Sequence, residues 1–209
     1  GAAGSAIAKI LSCEGFSRKE CIPAKDIILV DSKGIISKNR TDLDENKKHL
    51  VEITNKKNLS GNLTDALKGA DVFIGVSKGN LVSREMVASM NKKPIIFAMA
   101  NPVPEIMPNE AIAAGAEIIG TGRSDFPNQI NNVLAFPGIF RGALDSKAVR
   151  ITPSMKLAAT HALANCIENP TKEMILPSPL DKTVVKKIAK AVKAKAIEEG
   201  VVRSKFESG

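Results

Sequence analysis

The sequence predicts an α/β domain built on a doubly wound, mostly parallel sheet, with the first strand of that sheet missing from the chain. Three observations carry this. Short runs rich in Ile and Val near residues 27–31, 71–76, 94–99 and 117–121 alternate with segments of helical period, the pattern that produces parallel sheets. Gly1-Ala2-Ala3-Gly4 opens straight into a helical stripe of Ile7, Ile10 and Leu11. Polar residues then gather where the strands end, which is where an open α/β sheet takes its ligands. Together these describe a Rossmann-like fold.

In chain order, Gly1 and Gly4 read as the second and third glycines of a G-x-G-x-x-G turn, the strand and first glycine before them being absent. Glycine lets the backbone approach a pyrophosphate, and the helix amino end offers it free N–H groups. Residues 27–31 read as a buried parallel strand ending in Asp31, where an acid would grip an adenosine ribose. Ser32, Lys33, Lys38 and Arg40 follow closely enough to hold a 2′-phosphate instead, so NAD and NADP both stay open, with a slight lean to NAD. Residues 33–46 are a loop, and 47–54 and 63–68 are short helices, the second capped by Asn62 or Thr64. The strand at 71–76 ends in Ser77-Lys78-Gly79-Asn80, a turn whose amides can reach a cofactor, and Ser83 caps a helix running to Met90.

The strand at 94–100 ends in Asn101-Pro102-Val103-Pro104-Glu105. Two prolines stiffen this segment and make it a rigid mount for the Asn101 amide; an ordinary Asx-turn fits the pattern equally well. A short helix at 110–114 and a strand at 117–121 lead into a stretch rich in amides and hydroxyls, from Gly120 to Gly138, in which Asn131 and Asn132 stand side by side. Ile130, Val133 and Leu134 place a helix over 128–136, continued through 139–144 with Arg141 and Asp145 one turn apart. Thr152-Pro153 starts a helix to about Cys166, and a lysine-faced helix ends near Gly200. His161 is assigned no role, and Asp125 is kept as a structural acid with Arg123 as its partner or as an anion contact. Residues 1–150 form the dinucleotide-binding domain, and residues 151–209 a helical segment packing on it.

With 44% hydrophobic residues the chain has enough apolar material for a core, which must be built from Ile, Val, Leu and Ala because Trp and Tyr are absent. No phenol is available as a general acid. A net charge of +8 raises the question of nucleic acid. The excess, however, sits largely on the last helix as Lys182, Lys186, Lys187, Lys190, Lys193 and Lys195, opposite Val184, Val185, Ile188, Val192 and Ile197. That is a solvated helix face, and no nucleic-acid-binding motif accompanies it. No apolar run is long enough for a membrane span. Cys13, Cys21 and Cys166 are an odd number without metal-ligand spacing, and read as free thiols in a cytoplasmic protein.

The stretch GTGRSDFPNQINNVLAFPGIFRGALD at 120–145 resembles the signature of the malic enzymes, which oxidatively decarboxylate malate to pyruvate. DVFIGVS at 71–77 and PIIFAMANPVPE at 94–105 are similar to that family as well, and the resemblance runs from Gly1 to about Val202. It implies the nicotinamide-binding half of a small prokaryotic-type enzyme, with the catalytic lysine, tyrosine and metal-binding carboxylates in a half absent from this sequence. It implies Gly1, Ala2, Ala3, Gly4, Asp31, Val76, Ser77 and Asn101 as cofactor contacts, and Asn101 and Asn132 as substrate contacts. It further implies NAD or NADP, Mg2+ or Mn2+ held outside this chain, malate and pyruvate as ligands, and a homodimer. Two readings compete with it: a non-catalytic dinucleotide-binding or assembly module, and a different dehydrogenase on the same fold.

Overall fold

The computed structural model describes residues 1–203, and the last residues of the 151–209 segment lie outside that range. The chain divides into two compact units, Gly1–Ile119 and Gly120–Gly209.

The first unit begins with α1 (Ala2–Leu11), then a hairpin of β1 (Val30–Asp31) and β2 (Gly34–Ile35). It continues through α2 (Glu45–Ile53), α3 (Leu63–Leu67), β3 (Val72–Gly75), α4 (Arg84–Ala88), β4 (Ile95–Ala98) and α5 (Pro108–Ala113), and β5 (Ile118–Thr121) leads out of it. Three of these helix starts have a side-chain cap. The Asp44 carboxylate accepts from the Lys47 N–H at 2.9 Å to open α2. Asn62 and Asp65 form a reciprocal capping box at α3, and the Ser83 hydroxyl accepts from the Met86 N–H at α4. Strands β3, β4 and β5 form a three-stranded parallel sheet in that order, with Val72 opposite Ile95 and Gly75 opposite Ala98. Its core joins Leu67, Val87, Ile96, Ala98, Ile106 and Ile119, all buried.

The 27–31 strand is corrected. Residues 27–29 are not in a strand, and only Val30 and Asp31 pair, antiparallel, with Ile35 and Gly34. A parallel strand needs a neighbour to take its peptide groups. Here the carbonyl of Ile27 accepts from Asn55 N–H and that of Leu29 from Ile36 N–H, both at 2.8 Å, so the run is satisfied locally. Gly34, at φ +107°, makes the tight reversal, and a Cβ there would lie 2.4 Å from the Gly61 carbonyl oxygen.

The cysteines are corrected too: Cys13 and Cys21 form a disulfide, leaving Cys166 free. Cys13 leaves α1 in a left-handed conformation, φ 58°. The chain then returns along the helix end through the hydrogen bond from Ala24 N–H to the Leu11 carbonyl, bringing the two Cα atoms to 5.7 Å, inside bridging range. Composition could not reveal that fold-back.

The second unit holds a 3-10 turn (Asn132–Leu134), α6 (Phe136–Asp145), α7 (Pro153–Ala164) and α8 (Lys182–Glu198). The helix expected over 128–136 is not there. Gln129 bridges to Thr121, and Asn128 sits at φ 55°, so the chain stays extended until Asn131. α6 and α7 pack on α8, whose Val184, Ile188, Val192 and Ala196 are buried while Ile197 is exposed. Gly138 and Gly142 let α6 approach closely: a Cβ would lie 2.6 Å from Ile188 Cβ at the first and 2.6 Å from the Ala189 carbonyl oxygen at the second. Thr152 caps α7 as expected, accepting from Met155 N–H at 3.2 Å. Among the described residues no helix is long and apolar enough to cross a membrane.

Candidate functional site

At the start of the first unit, Gly1 is the N-cap of α1 and supplies no side-chain cap. As in the first turn of any helix, the N–H groups of Ala2, Ala3 and Gly4 have no partner within the helix, and such a turn offers donors to an anion. A Cβ on Gly4 would rest 3.7 Å from Val76 Cγ2, and one on Gly1 would meet nothing within 4 Å. Packing among the described residues therefore does not demand glycine at Gly4. The same distance places α1's amino end against Val76, so two of the expected contact groups meet.

Beyond Gly75 and Ala98, β3 and β4 run out side by side into Val76-Ser77 and Met99-Ala100-Asn101, joined by Met99 N–H to the Gly75 carbonyl at 3.1 Å. Ser77 and Asn101 are both exposed. Among the described residues no hydrogen bond engages the Asn101 side chain, so the Asx-turn alternative does not form and its amide is open to a ligand. The Asn101–Pro102 peptide is cis.

What fixes these tips is a residue the sequence did not single out. Glu105 is 0% exposed. Its Oε1 accepts from the Ser77 N–H and its Oε2 from the Ala100 N–H, each at 3.0 Å. The carboxylate lies on Gly75 so closely that a Cβ there would be 2.3 Å from Glu105 Cδ. Its own backbone is tied down as well: the Pro104 carbonyl accepts from Asn80 N–H at 3.0 Å, and the Glu105 carbonyl from Val82 N–H at 2.9 Å. A signal existed in the sequence. A glycine inside an apolar strand marks a close approach, and a lone acid between Pro104 and Ile106 is an unusual thing to bury.

Asp31 is the last residue of β1 and is enclosed by donors. Oδ1 accepts from Arg40 Nη1 at 2.8 Å and Lys33 N–H at 2.9 Å; Oδ2 accepts from Lys47 Nζ at 2.7 Å and Arg40 Nη2 at 3.3 Å. Partial burial pushes its carboxyl up, but the hydrogen bonds from Arg40, Lys47 and the Lys33 amide outweigh that and hold it well below the usual carboxylate range. Arg40 also forks onto Asp42, at 2.9 and 2.8 Å.

In the second unit the paired asparagines have different tasks. Asn131 Oδ1 accepts from Val133 N–H at 3.0 Å and caps the 3-10 turn. Asn132 is exposed, and among the described residues no hydrogen bond engages its side chain. Nearby Asn128 is buried and staples the loop, its amide donating to the Lys172 carbonyl at 2.7 Å and accepting from Ile175 N–H at 2.9 Å. Arg123 pairs with Asp125 through two hydrogen bonds at 2.8 and 2.6 Å and lies over the Phe126 ring, so Asp125 serves as its structural partner. Among the described residues no group of three His, Cys, Asp or Glu side chains could hold a metal ion.

The chain matches the family described as malic enzyme, NAD binding domain, over residues 1–197. It is 50% identical to the bifunctional malic/malolactic enzyme of Bacillus subtilis, across 97% of this chain and 48% of that protein. It is 43% identical to the NADP-dependent malic enzyme of Rhizobium meliloti, across 99% of this chain and 28% of that one. The crystal structure of an NAD-dependent malic enzyme from Thermotoga maritima superposes with a TM-score of 0.78 at 48% identity, covering 82% of this chain and 45% of that one. The chain thus spans half or less of the length of these relatives.

Proposed function

The chain belongs to the malic enzyme family as its NAD-binding domain, and on that premise we propose that it supplies the dinucleotide site and part of the malate site of an enzyme that converts malate to pyruvate and carbon dioxide. The observation that carries the reading is the common edge where β3 and β4 end in Val76-Ser77 and Ala100-Asn101, with the open amino end of α1 against Val76.

The dinucleotide fits what is present: the amides of the first turn of α1, room beside Gly4, and the open Asn101 carboxamide. Ala2, Ala3 and Gly4 hold the pyrophosphate by backbone N–H groups, Asp31 takes the adenosine ribose, and Val76, Ser77 and Asn101 line the nicotinamide end. When bound, the coenzyme supplies a hydride acceptor. Asn101 donates amide N–H groups to malate, orienting it without adding a charge that would compete with a metal; Asn132 is a substrate contact on the family resemblance alone. The described residues do not fit a Mg2+ or Mn2+ site. Its ligands, with the proton-transferring groups, belong to the part of the longer relatives that this chain does not cover.

The test is the absorbance rise of NADH or NADPH on adding malate and Mn2+, run on this chain and on a longer form that includes the remaining part. Activity confined to the longer form is expected. A longer form that reduces neither dinucleotide with malate rejects the reading. In that longer form Asn132→Ala should lower kcat/KM for malate, and an unchanged value removes Asn132 from the site.

A further inference from the structure

We propose that Glu105 is a positioning residue that sets the cofactor-side Ser77 and the substrate-side Asn101 in register; the inference rests on the dinucleotide and malate reading given above. One buried carboxylate spans two strand tips, one oxygen on the Ser77 N–H and the other on the Ala100 N–H, both at 3.0 Å. Ser77 is itself a proposed cofactor contact, and Ala100 is the peptide neighbour of Asn101. Shifting the carboxylate therefore shifts both.

Several features show a spacer more than a chance contact. Gly75 leaves the space the carboxylate fills, since any Cβ would overlap it. Pro104 and Glu105 are both buried, and their carbonyls accept from Asn80 and Val82, so the spacer's own backbone is fixed at two further points. Gly79 lets the turn after Ser77 close on Val103, where a Cβ would lie 2.6 Å from the carbonyl oxygen. The segment after β4 thus locks onto the turn after β3 around this one acid. Peptide N–H groups at strand ends are obvious donors for a ligand, but Glu105 takes two of them.

Glu105→Gln separates the roles. A glutamine of the same shape offers one acceptor oxygen, and its NH2 group faces the second N–H, so one tip is released. Hydride transfer depends on sub-ångström alignment, and such a release should lower kcat by about tenfold or more. In the intact enzyme, assayed with malate, dinucleotide and Mn2+, we expect that loss with the dinucleotide dissociation constant changed by less than about threefold. The deuterium isotope effect on kcat with malate labelled at C2 should rise, because hydride transfer becomes slower than the other steps. A lower folding stability alone would not raise it. A variant with kcat and isotope effect equal to those of the parent overturns the inference while leaving the function reading in place. A parent enzyme without malate-dependent reduction rejects that reading and this inference together. If Glu105→Gln does not fold, amide exchange in the unaltered protein decides. Slow exchange of the Ser77 and Ala100 N–H groups, comparable to that of β3 and β4, supports the spacer, and exchange of either at the rate of an open loop overturns it.

Discussion

Asp31 has all the donors its two oxygens can accept, from Arg40, Lys47 and the Lys33 amide, and this bears on both stability and cofactor choice. Its folded-state carboxyl lies below the ordinary value of about 3.9, so its contribution is present at neutral pH and is lost as pH falls below about 4, where the unfolded chain takes up the proton first. Thermal unfolding followed from pH 6 to pH 2 should therefore show a smaller drop in Tm for Asp31→Asn than for the parent; equal slopes would place the acid sensitivity elsewhere. A ribose hydroxyl must compete with Lys47 for Oδ2, whereas a 2′-phosphate would welcome the same ammonium. Lys47→Ala should move the ratio of NADP+ to NAD+ dissociation constants upward by roughly two- to fivefold, the worth of one partly exposed charge contact, as read by calorimetric titration. The paired asparagines divide in the same way. Asn131→Ala removes a cap and should cost about 1 kcal/mol of stability in chemical denaturation, while Asn132→Ala should leave stability unchanged and act on malate.

At the level of elements, the strands of the sheet were legible as short apolar runs, and β3, β4 and β5 fall within a residue or two of where those runs place them. The caps at Asn62, Ser83 and Thr152 were legible for a similar reason: they are local, and the residue types name the chemistry. The run at 27–31 misled because an apolar strand pattern says nothing of whether a neighbour exists to pair with it. The segment at 128–136 misled because Ile130, Val133 and Leu134 have helical spacing, while Asn128 turns the chain by bonding to Lys172 and Ile175, more than forty residues on. Glu105 was hidden likewise, its partner Ser77 lying 28 residues upstream. α6 and α8 supply the sharpest test of packing. Gly142→Ala would press a methyl against the Ala189 carbonyl and Val192, a collision with backbone that cannot turn aside. It should destabilise the second unit by about 1–3 kcal/mol, measured as a lowered denaturation midpoint. A neutral substitution would mean that the two helices pack less closely than described.

For the whole molecule, family membership assigns this chain to the NAD-binding domain, and the three-stranded parallel sheet is in keeping with that fold. Of the expected cofactor contacts in the first unit, Gly4 meets Val76, and Ser77 and Asn101 extend from adjacent strands. Asp31 was read as the acid that ends a parallel strand, whereas it lies within β1 of the hairpin, and its cation cage was not legible, since Arg40 and Lys47 lie in a loop and a helix that only folding brings to it. The basic surplus of the chain, +8, would draw both an anionic coenzyme and a dicarboxylate toward it. The most direct measurement of the central claim is a titration of the 15N-labelled chain with NAD+ and with NADP+, followed by amide chemical shifts. The largest changes should fall at Ala2, Ala3, Gly4, Asp31, Val76, Ser77 and Asn101. Saturable shifts concentrated instead on α7 and α8, with those residues unmoved, would contradict it.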